Sequence, residues 1–142
     1  DSVSVFWYPD GKKNFERRYQ EGILNGYSEL FDSLGVMIEK GSYNKGQKEG
    51  HWLLYNKYGT VERDENYKDG IPIGKLISYY DNGKKKVEGF YEGGFKQDKW
   101  TFWDEKGNVV NRLVFEKGEI IKQLNPMPDG TEKKNGPPVN PQ

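Results

Sequence analysis

Cysteine is absent from this 142-residue sequence, histidine occurs once, and no long apolar run is present. Without cysteine the chain has no disulfide, no thiol nucleophile and no cysteine-ligated zinc. A single imidazole, that of His51, excludes a metal site built from several histidines, and its column in the sequence is typical of a solvated surface position. No segment approaches the roughly 18 apolar residues of a membrane-spanning helix. We therefore expect no catalytic residues, no metal site and no cofactor, and we predict that the protein is not an enzyme.

An excess of charge of one sign is also missing. The sequence has 22 basic and 22 acidic residues, so its formal net charge at pH 7 is zero. The densest basic cluster, Lys84-Lys85-Lys86, follows an Asn-Gly pair and is typical of a solvated strand start rather than of a polyanion-binding patch. We predict no nucleic-acid partner and leave membrane lipid open as a ligand.

Hydrophobic residues make up only 33% of the chain, whereas aromatic residues reach 15% and glycine occurs 18 times. Aromatic rings must therefore supply most of the core. This composition favours a thin sheet, in which rings pack over small neighbours, over a deep globular core.

The sequence repeats itself every 24 residues. In five successive units an aromatic residue is followed three positions later by glycine, and a fixed period of this length is the signature of a repeat architecture. The aromatic markers are Tyr19, Tyr43, Tyr67, Tyr91 and Phe115, and the glycines are Gly22, Gly46, Gly70, Gly94 and Gly118.

Four further columns keep the same register. A glycine column holds Gly26, Gly50, Gly74 and then Asp98; a tryptophan column holds Ser28, Trp52, Leu76 and Trp100; an aromatic column holds Phe31, Tyr55, Tyr79 and Trp103; and a second glycine column holds Gly35, Gly59, Gly83 and Gly107. Extended toward the N-terminus, the same 24-residue frame predicts an aromatic residue at position 7 and a glycine at position 11, and the sequence has Trp7 and Gly11 there. Ser28, Leu76 and Asp98 are the departures from the pattern.

The glycines mark chain reversals. Asp10-Gly11, Asp69-Gly70 and Asn82-Gly83 predict tight hairpin turns, whereas Lys45-Gly46, Tyr58-Gly59 and Lys106-Gly107 predict loops of three to five residues with a bulge. The runs between turns are short and rich in aromatic and β-branched residues, so they predict strands and not helices. We predict an all-β fold: an elongated antiparallel β-hairpin repeat array of about four to five units in a single twisted meander sheet.

Apolar residues do not alternate cleanly along the predicted strands. Trp52 and Leu54 share one parity, and Leu53 and Tyr55 share the other. Either a bulge switches the alternation or both faces of the sheet are covered in places.

Both ends of the chain differ from the repeat. The sequence starts part-way through a unit without methionine, which suggests that a signal peptide, a lipoprotein leader or a longer domain preceded it. This points to the cell envelope or to secretion, with the cytoplasm left open. Five of the seven prolines fall after residue 125. We divide the chain into a repeat domain, residues 1–124, and a Pro-rich tail, residues 125–142, that is unsuited to sheet and packs on the body or covers its edge strand.

The intact unit Tyr43, Gly46, Gly50, Trp52, Tyr55 and Gly59 resembles the MORN-repeat variant of bacterial antitoxin-like repeat proteins. The resemblance covers residues 3–118. It implies an array of antiparallel β-hairpins used as a scaffold or binding surface, and it implies no catalytic residues.

Two functions remain open at the level of sequence. The first is a non-enzymatic module for protein–protein interaction or scaffolding, with self-association through an edge strand. The alternative is a cell-envelope module that recognises a glycan or lipid headgroup through an aromatic and lysine surface. The candidate binding platform consists of Trp52, Trp100, Tyr55 and Trp103, which core packing would equally explain, so their exposure decides between the two interpretations. An enzyme would require a cleft that gathers Glu62, Asp64 and Glu88.

Overall fold

The computed structural model describes residues 1–126 and 132–136, with side chains described for residues 1–124. These residues form twelve β-strands and no helix. The strands are β1 (Ser2–Trp7), β2 (Lys13–Gln20), β3 (Ile23–Phe31), β4 (Met37–Asn44), β5 (Gln47–Tyr55), β6 (Val61–Lys68), β7 (Ile71–Tyr79), β8 (Lys85–Glu92), β9 (Phe95–Trp103), β10 (Val109–Glu116), β11 (Glu119–Pro126) and β12 (Glu132–Gly136).

The chain divides into two compact units, Asp1–Ile71 and Pro72–Gln142. In the first unit, β1 to β6 pair antiparallel with their neighbours in sequence, and in the second unit β7 to β12 do the same. Short hairpin connections produce this order because consecutive antiparallel strands need only a tight turn between them. The predicted fold class, an all-β antiparallel hairpin array whose strands follow the order of the sequence, is confirmed.

One set of hairpins has two-residue turns in which both residues have positive φ, the geometry of a type I′ turn. The pairs are Glu21-Gly22, Lys45-Gly46, Asp69-Gly70, Gly93-Gly94 and Lys117-Gly118. The prediction of a longer loop at Lys45-Gly46 is therefore wrong, since Lys45 itself adopts φ 48°.

Hydrogen bonds from the preceding repeat hold Lys45 in this conformation. The Lys45 N–H donates to Asn25 Oδ1 at 3.0 Å, and the Gly46 N–H donates to the Leu24 carbonyl at 2.7 Å. Equivalent side-chain oxygens accept from the next turn in two other repeats, through Glu49 to Asp69 and through Gln97 to Lys117. Each of these turns is thus stabilised by a residue about 20 positions earlier. In the remaining repeat the position equivalent to Asn25 holds Ile73, whose side chain has no hydrogen-bond acceptor. The next turn there is Gly93-Gly94, and glycine adopts positive φ without steric cost.

The other set of hairpins has three-residue turns closed around a glycine with positive φ. At the first of these, the Gly11 N–H donates to the Tyr8 carbonyl at 2.9 Å and the Tyr8 N–H donates to the Lys12 carbonyl at 2.7 Å. In the turns that follow Asp32, Asn56 and Asp104, the side-chain Oδ1 of that residue accepts two backbone N–H groups. The prediction of tight turns at Asp10-Gly11 and Asn82-Gly83 is wrong, because only the glycine has positive φ there.

The glycine column of Gly26, Gly50 and Gly74 marks an irregularity within the strands. At Gly50, which has φ 73°, three residues of β5 lie opposite one residue of β4. Asp98 occupies the equivalent place and keeps the same conformation with φ 60°, so this departure from the repeat leaves the backbone geometry unchanged.

Alternation along the strand is preserved across this irregularity. Trp52 lies opposite Glu65 on β6, Leu53 opposite Asp64 and Leu54 opposite Arg63, with no shift of register. Trp52 and Leu54 therefore point to one face, and Leu53 and Tyr55 point to the other, where both are half-buried. Both faces of this strand therefore carry partly buried apolar side chains, and its pairing with β6 has a bulge or irregularity between Leu54 and Tyr55.

A line of buried residues crosses the middle strands of each unit on one face, which we call the buried row. In the first unit it consists of Ser28, Gly41, Trp52 and Glu65, and in the second unit of Leu76, Gly89, Trp100, Leu113 and Gln123. The apolar core of the second unit is built on this row and adds Phe115.

The last described strand, β12, pairs with β11. The expectation that residues 125–142 are unsuited to sheet is wrong for Asn125 and Pro126, which end β11, and for Glu132–Gly136. The expectation that the tail covers an edge strand holds for β11. The prolines at 128, 137, 138 and 141 lie outside the described residues, and the domain boundary after residue 124 stays a prediction.

Gly59→Val should destabilise the protein more than Lys57→Val, because Gly59 has φ 81°, a conformation that a β-branched residue avoids. We expect a loss of more than about 1 kcal/mol in the free energy of unfolding for the glycine variant. Thermal unfolding of the two variants measures the difference, and equal melting temperatures would contradict the turn assignment.

Gly41→Ala should destabilise the first unit by about 1–3 kcal/mol, because the added Cβ overlaps the indole ring atoms of Trp52. In a Trp52→Leu background the same substitution should cost less, since the clash is gone. Urea unfolding of the single and double variants measures this coupling. If the free-energy changes of the two substitutions add, Gly41 is not required to make room for the Trp52 indole.

Candidate functional site

Trp52 and Trp100 sit in equivalent settings that we call indole seats. Trp52 is 0% exposed and Trp100 is 1% exposed. Each indole lies against a glycine of the neighbouring strand, Gly41 or Gly89, where any Cβ would collide with the ring. The indole N–H donates to a backbone carbonyl of that same strand, Ser42 at 3.1 Å or Phe90 at 3.2 Å, which satisfies the only polar group of the side chain.

Aromatic and lysine side chains complete each seat. Tyr43 meets Trp52 edge-on with ring centroids 5.0 Å apart, and Tyr91 meets Trp100 in the same way at 5.2 Å. Lys48 Nζ lies 4.5 Å from the Trp52 ring centroid, and Lys96 Nζ lies 4.8 Å from that of Trp100. Each indole is thus covered by the lysine of its own hairpin.

The two lysines interact with a second ring as well. Lys48 Nζ lies 5.2 Å from the Tyr67 ring centroid, and Lys96 Nζ lies 5.2 Å from that of Phe115. Cations are attracted to the faces of aromatic rings, and this attraction offsets part of the cost of removing the ammonium from water. For Lys96 burial is the dominant effect and lowers the pKa of the side chain below its ordinary value of 10.5.

This geometry corrects part of the predicted platform. Trp52 and Trp100 lie in the buried row beneath lysines, so neither presents a ring face to a ligand. Tyr55 and Trp103 lie on the opposite face of their strands and are half-buried. The four predicted residues therefore do not share one face, and the two tryptophans of the tryptophan column are core residues.

The indole seats were detectable in the sequence through a second period of 48 residues. Gly41 and Gly89, Lys48 and Lys96, and Trp52 and Trp100 are each 48 positions apart, as are Ser28 and Leu76 in the intervening repeats. Ser28 and Leu76, which depart from the 24-residue pattern, thus belong to a regular alternation of repeats with and without an indole. Ser28 and Leu76 follow strands β2 and β6, which contain no glycine to make room for an indole. A small or aliphatic side chain therefore suits these two positions.

The face opposite the buried row, which we call the open face, carries several ion pairs. In the first unit, His51 Nε2 lies 2.6 Å from Asp64 Oδ1, and Lys13 Nζ contacts both Glu16 and Glu29 at 2.9 Å. His51 is exposed, as the sequence predicts for its column. Histidine and carboxylate are close enough to exchange a proton, but in the described part of the chain no group of three or more His, Asp or Glu residues could hold a metal.

On the open face of the second unit the charge balance differs. Lys75 and Lys85 flank one carboxylate, Glu88, whose Oε1 lies 3.0 Å from Lys75 Nζ and 3.3 Å from Lys85 Nζ. Burial opposes ionisation of this carboxyl, but hydrogen bonds from the two lysines outweigh burial and lower its pKa. Glu92, Glu116 and Glu119 lie on the same face nearer the strand ends. The basic residues are Lys75, Lys85, Lys99, Arg112 and Lys122.

The strand register places these residues on one surface. Lys75 is directly opposite Phe90, Glu88 is opposite Thr101, and Thr101 is opposite Arg112. On the outer strands Val114 lies between Lys99 and Lys122. Directly opposed residues on paired strands point to the same side, so all of these side chains share the face that is remote from Trp100.

Two of the three carboxylates that an enzyme would need are engaged by a base. Asp64 contacts His51, and Glu88 contacts Lys75 and Lys85. Glu62 is exposed at the start of β6. The described residues contain no helix long and apolar enough to cross a membrane.

Comparison with known proteins gives no relative: the chain matches no family model, and it has no significant match among curated protein sequences. The residues themselves therefore carry the functional argument.

Lys96→Met should change the pH dependence of stability. The pKa of Lys96 is lower in the folded than in the unfolded protein. At pH values between these two pKa values the unfolded chain therefore binds more protons than the folded chain. Wild-type stability rises with pH in that window. Methionine has no such proton, so the stability of the variant relative to the wild type should fall as pH rises from about 8 to about 10.5.

Urea unfolding at the two pH values measures this effect, with Lys68→Met, which replaces an exposed lysine, as the control. If the two variants show the same pH dependence, burial of Lys96 does not affect its titration.

Proposed function

We propose that this protein is a non-enzymatic interaction module of the MORN-variant type, which associates with protein through the outer edge of β1. The observation that carries this proposal is the edge itself. Among the described residues β1 pairs only with β2, so its other side presents unpaired backbone donors and acceptors. Edge strands of this kind are templates for strand addition.

Apolar side chains accompany the open edge. Val3, Phe6 and Trp7 are 55%, 57% and 59% exposed. Phe6 stacks on Phe15 of β2 with ring centroids 4.6 Å apart, which leaves its outer surface toward solvent. Burial of such residues by an incoming strand would add apolar area to the backbone hydrogen bonds of the pairing.

A cavity adjoins the same edge. It has a volume of about 380 Å³ and is lined by residues of β1, β2 and β3, including Val3, Arg18, Tyr19 and Asn25. A strand added to β1 would have room there for a side chain that gives the pairing its register. Backbone hydrogen bonds supply affinity in this mode of recognition, and such pockets supply specificity.

The simplest partner is a second copy of the chain. The β1 strands of two copies can pair antiparallel about a two-fold axis. Both copies then use the same edge residues in the interface. The alternative function, recognition of a glycan or lipid headgroup, is favoured by a different observation, the basic open face of the second unit, and does not depend on β1.

Val3→Lys should weaken self-association by at least about tenfold, because a lysine on an edge strand is placed beside the incoming strand and opposes pairing. Analytical ultracentrifugation over a range of protein concentrations measures the dimer dissociation constant. The matched control is Val110→Lys, since Val110 is 56% exposed on β10, which is paired on both sides.

A wild-type chain that stays monomeric at the highest attainable concentration would contradict the proposal. So would equal weakening by the two substitutions, because that result would show a general effect of charge and not an effect of the edge.

A further inference from the structure

We propose that the open face of the second unit binds a linear acidic polysaccharide. The observation behind this inference is a row of basic side chains at regular intervals on one face of the sheet. Lys75, Lys99 and Lys122 lie on β7, β9 and β11, so successive lysines are separated by two strands. With strands about 4.8 Å apart, the lysines follow one another at about 10 Å, and the row is about 19 Å long.

Two of these lysines are available to a ligand. In the described part of the chain, neither Lys99 nor Lys122 has a carboxylate within ion-pair distance, and Lys99 is exposed. Lys75 contacts Glu88 at 3.0 Å but remains largely exposed. Arg112 lies on β10 opposite Thr101, two residues from Val114, and adds a fourth positive charge near the row.

An exposed aromatic ring lies within this surface. Phe90 is 41% exposed, directly opposite Lys75 on the neighbouring strand, and one strand away from Lys99. A sugar ring has an apolar C–H face that packs on an aromatic ring, while its charged groups project from its edge. A ring flanked by lysines matches this amphipathic shape.

The floor beneath the ligand is half-buried and chemically mixed. Thr101 offers a hydroxyl group and Val114 an apolar surface between the lysines. The backbone groups of these strands are engaged in the sheet, since both β9 and β10 are paired on each side. An acidic peptide would therefore find no backbone hydrogen bonds on this face, whereas a sugar needs only side chains.

Two other polyanions fit the surface less well. Nucleic-acid-binding domains are strongly basic and stack successive bases on several rings, but this chain has a pI of about 6.8 and zero net charge. Membrane binding requires several protruding apolar residues beside the lysines, but Phe90 is the exposed large apolar side chain between Lys75 and Lys99, whereas Phe95 and Val110 lie at the ends of their strands.

The experiment uses calorimetric titration of the whole chain with oligogalacturonates of increasing length. Affinity should rise with length and level off once the oligomer spans about 19 Å, the length of the lysine row. Neutral galactose oligomers of the same lengths should not bind measurably, because they lack the carboxylates that the lysines recognise.

Substitutions locate the site. Lys99→Gln and Lys122→Gln should each weaken binding about five- to tenfold and should reduce its dependence on salt, because each removes one charge contact. Phe90→Ala should weaken binding by a similar factor and leave the salt dependence unchanged. The matched controls are Lys68→Gln, an exposed lysine of the first unit, and Tyr58→Ala, a 64% exposed ring at a turn of the first unit.

Competing polyanions test the class of ligand. Poly-aspartate, single-stranded DNA and phosphatidylglycerol vesicles should bind at least about tenfold more weakly than the oligogalacturonate that spans the row. Equal or tighter binding of any of them would overturn the polysaccharide assignment. Absence of oligogalacturonate binding, or equal loss in site and control variants, would overturn the site.

Val3→Lys separates this inference from the proposed function, since it changes the β1 edge and leaves the second unit intact. It should lower self-association and leave oligogalacturonate binding unchanged. If it weakens both, the polysaccharide binds an assembly formed through β1, and the site on the open face is refuted.

Discussion

The structure depends on the way in which a single layer of sheet buries its largest side chains. Among the described residues of each unit no second layer covers Trp52 or Trp100; each indole is enclosed by residues of its own face. That enclosure requires a glycine on the neighbouring strand, because any side chain at Gly41 or Gly89 would occupy the space of the ring. A lysine and a tyrosine close the seat from the other sides. The indoles therefore anchor the buried row, and lysines on the same face help to cover them.

Turns couple one repeat to the next and so keep the buried row in register. The N–H groups of the two-residue turns donate to oxygens of the preceding hairpin, as at Lys45 and Asn25. Lys45, which is not glycine, adopts positive φ because a side chain of the preceding repeat accepts a hydrogen bond from its backbone N–H. This coupling is typical of repeat proteins, in which each unit is stabilised mainly by its neighbours, and it explains why the period of the sequence is so regular.

Much of the fold could be predicted from residues alone, and much of the site could not. The 24-residue period and the glycine columns predict antiparallel hairpins, which the structure has. Three of the six turn types were predicted wrongly, however. Asp10-Gly11 and Asn82-Gly83 lie in three-residue turns, where the Asp10 carboxylate accepts a hydrogen bond from Lys12 N–H, while Lys45 adopts positive φ in a two-residue turn. The aromatic platform failed at Trp52 and Trp100 because period alone does not say which face of a single-layer sheet is buried. The 48-residue alternation of glycine, lysine and tryptophan contained that information.

The sequence by itself determined the repeat, the strand class, the order of the hairpins and the absence of cysteine chemistry, because turns and strands follow from local preferences for φ and for β-branched or aromatic residues. Only the tertiary structure decided which residues share a face. Lys75, Lys99 and Lys122 are far apart in the chain and become a row only when the strand register is fixed. Register depends on cross-strand pairing and on the irregularity at Gly50 and Asp98, and these set side-chain direction through hydrogen bonds that no local pattern specifies.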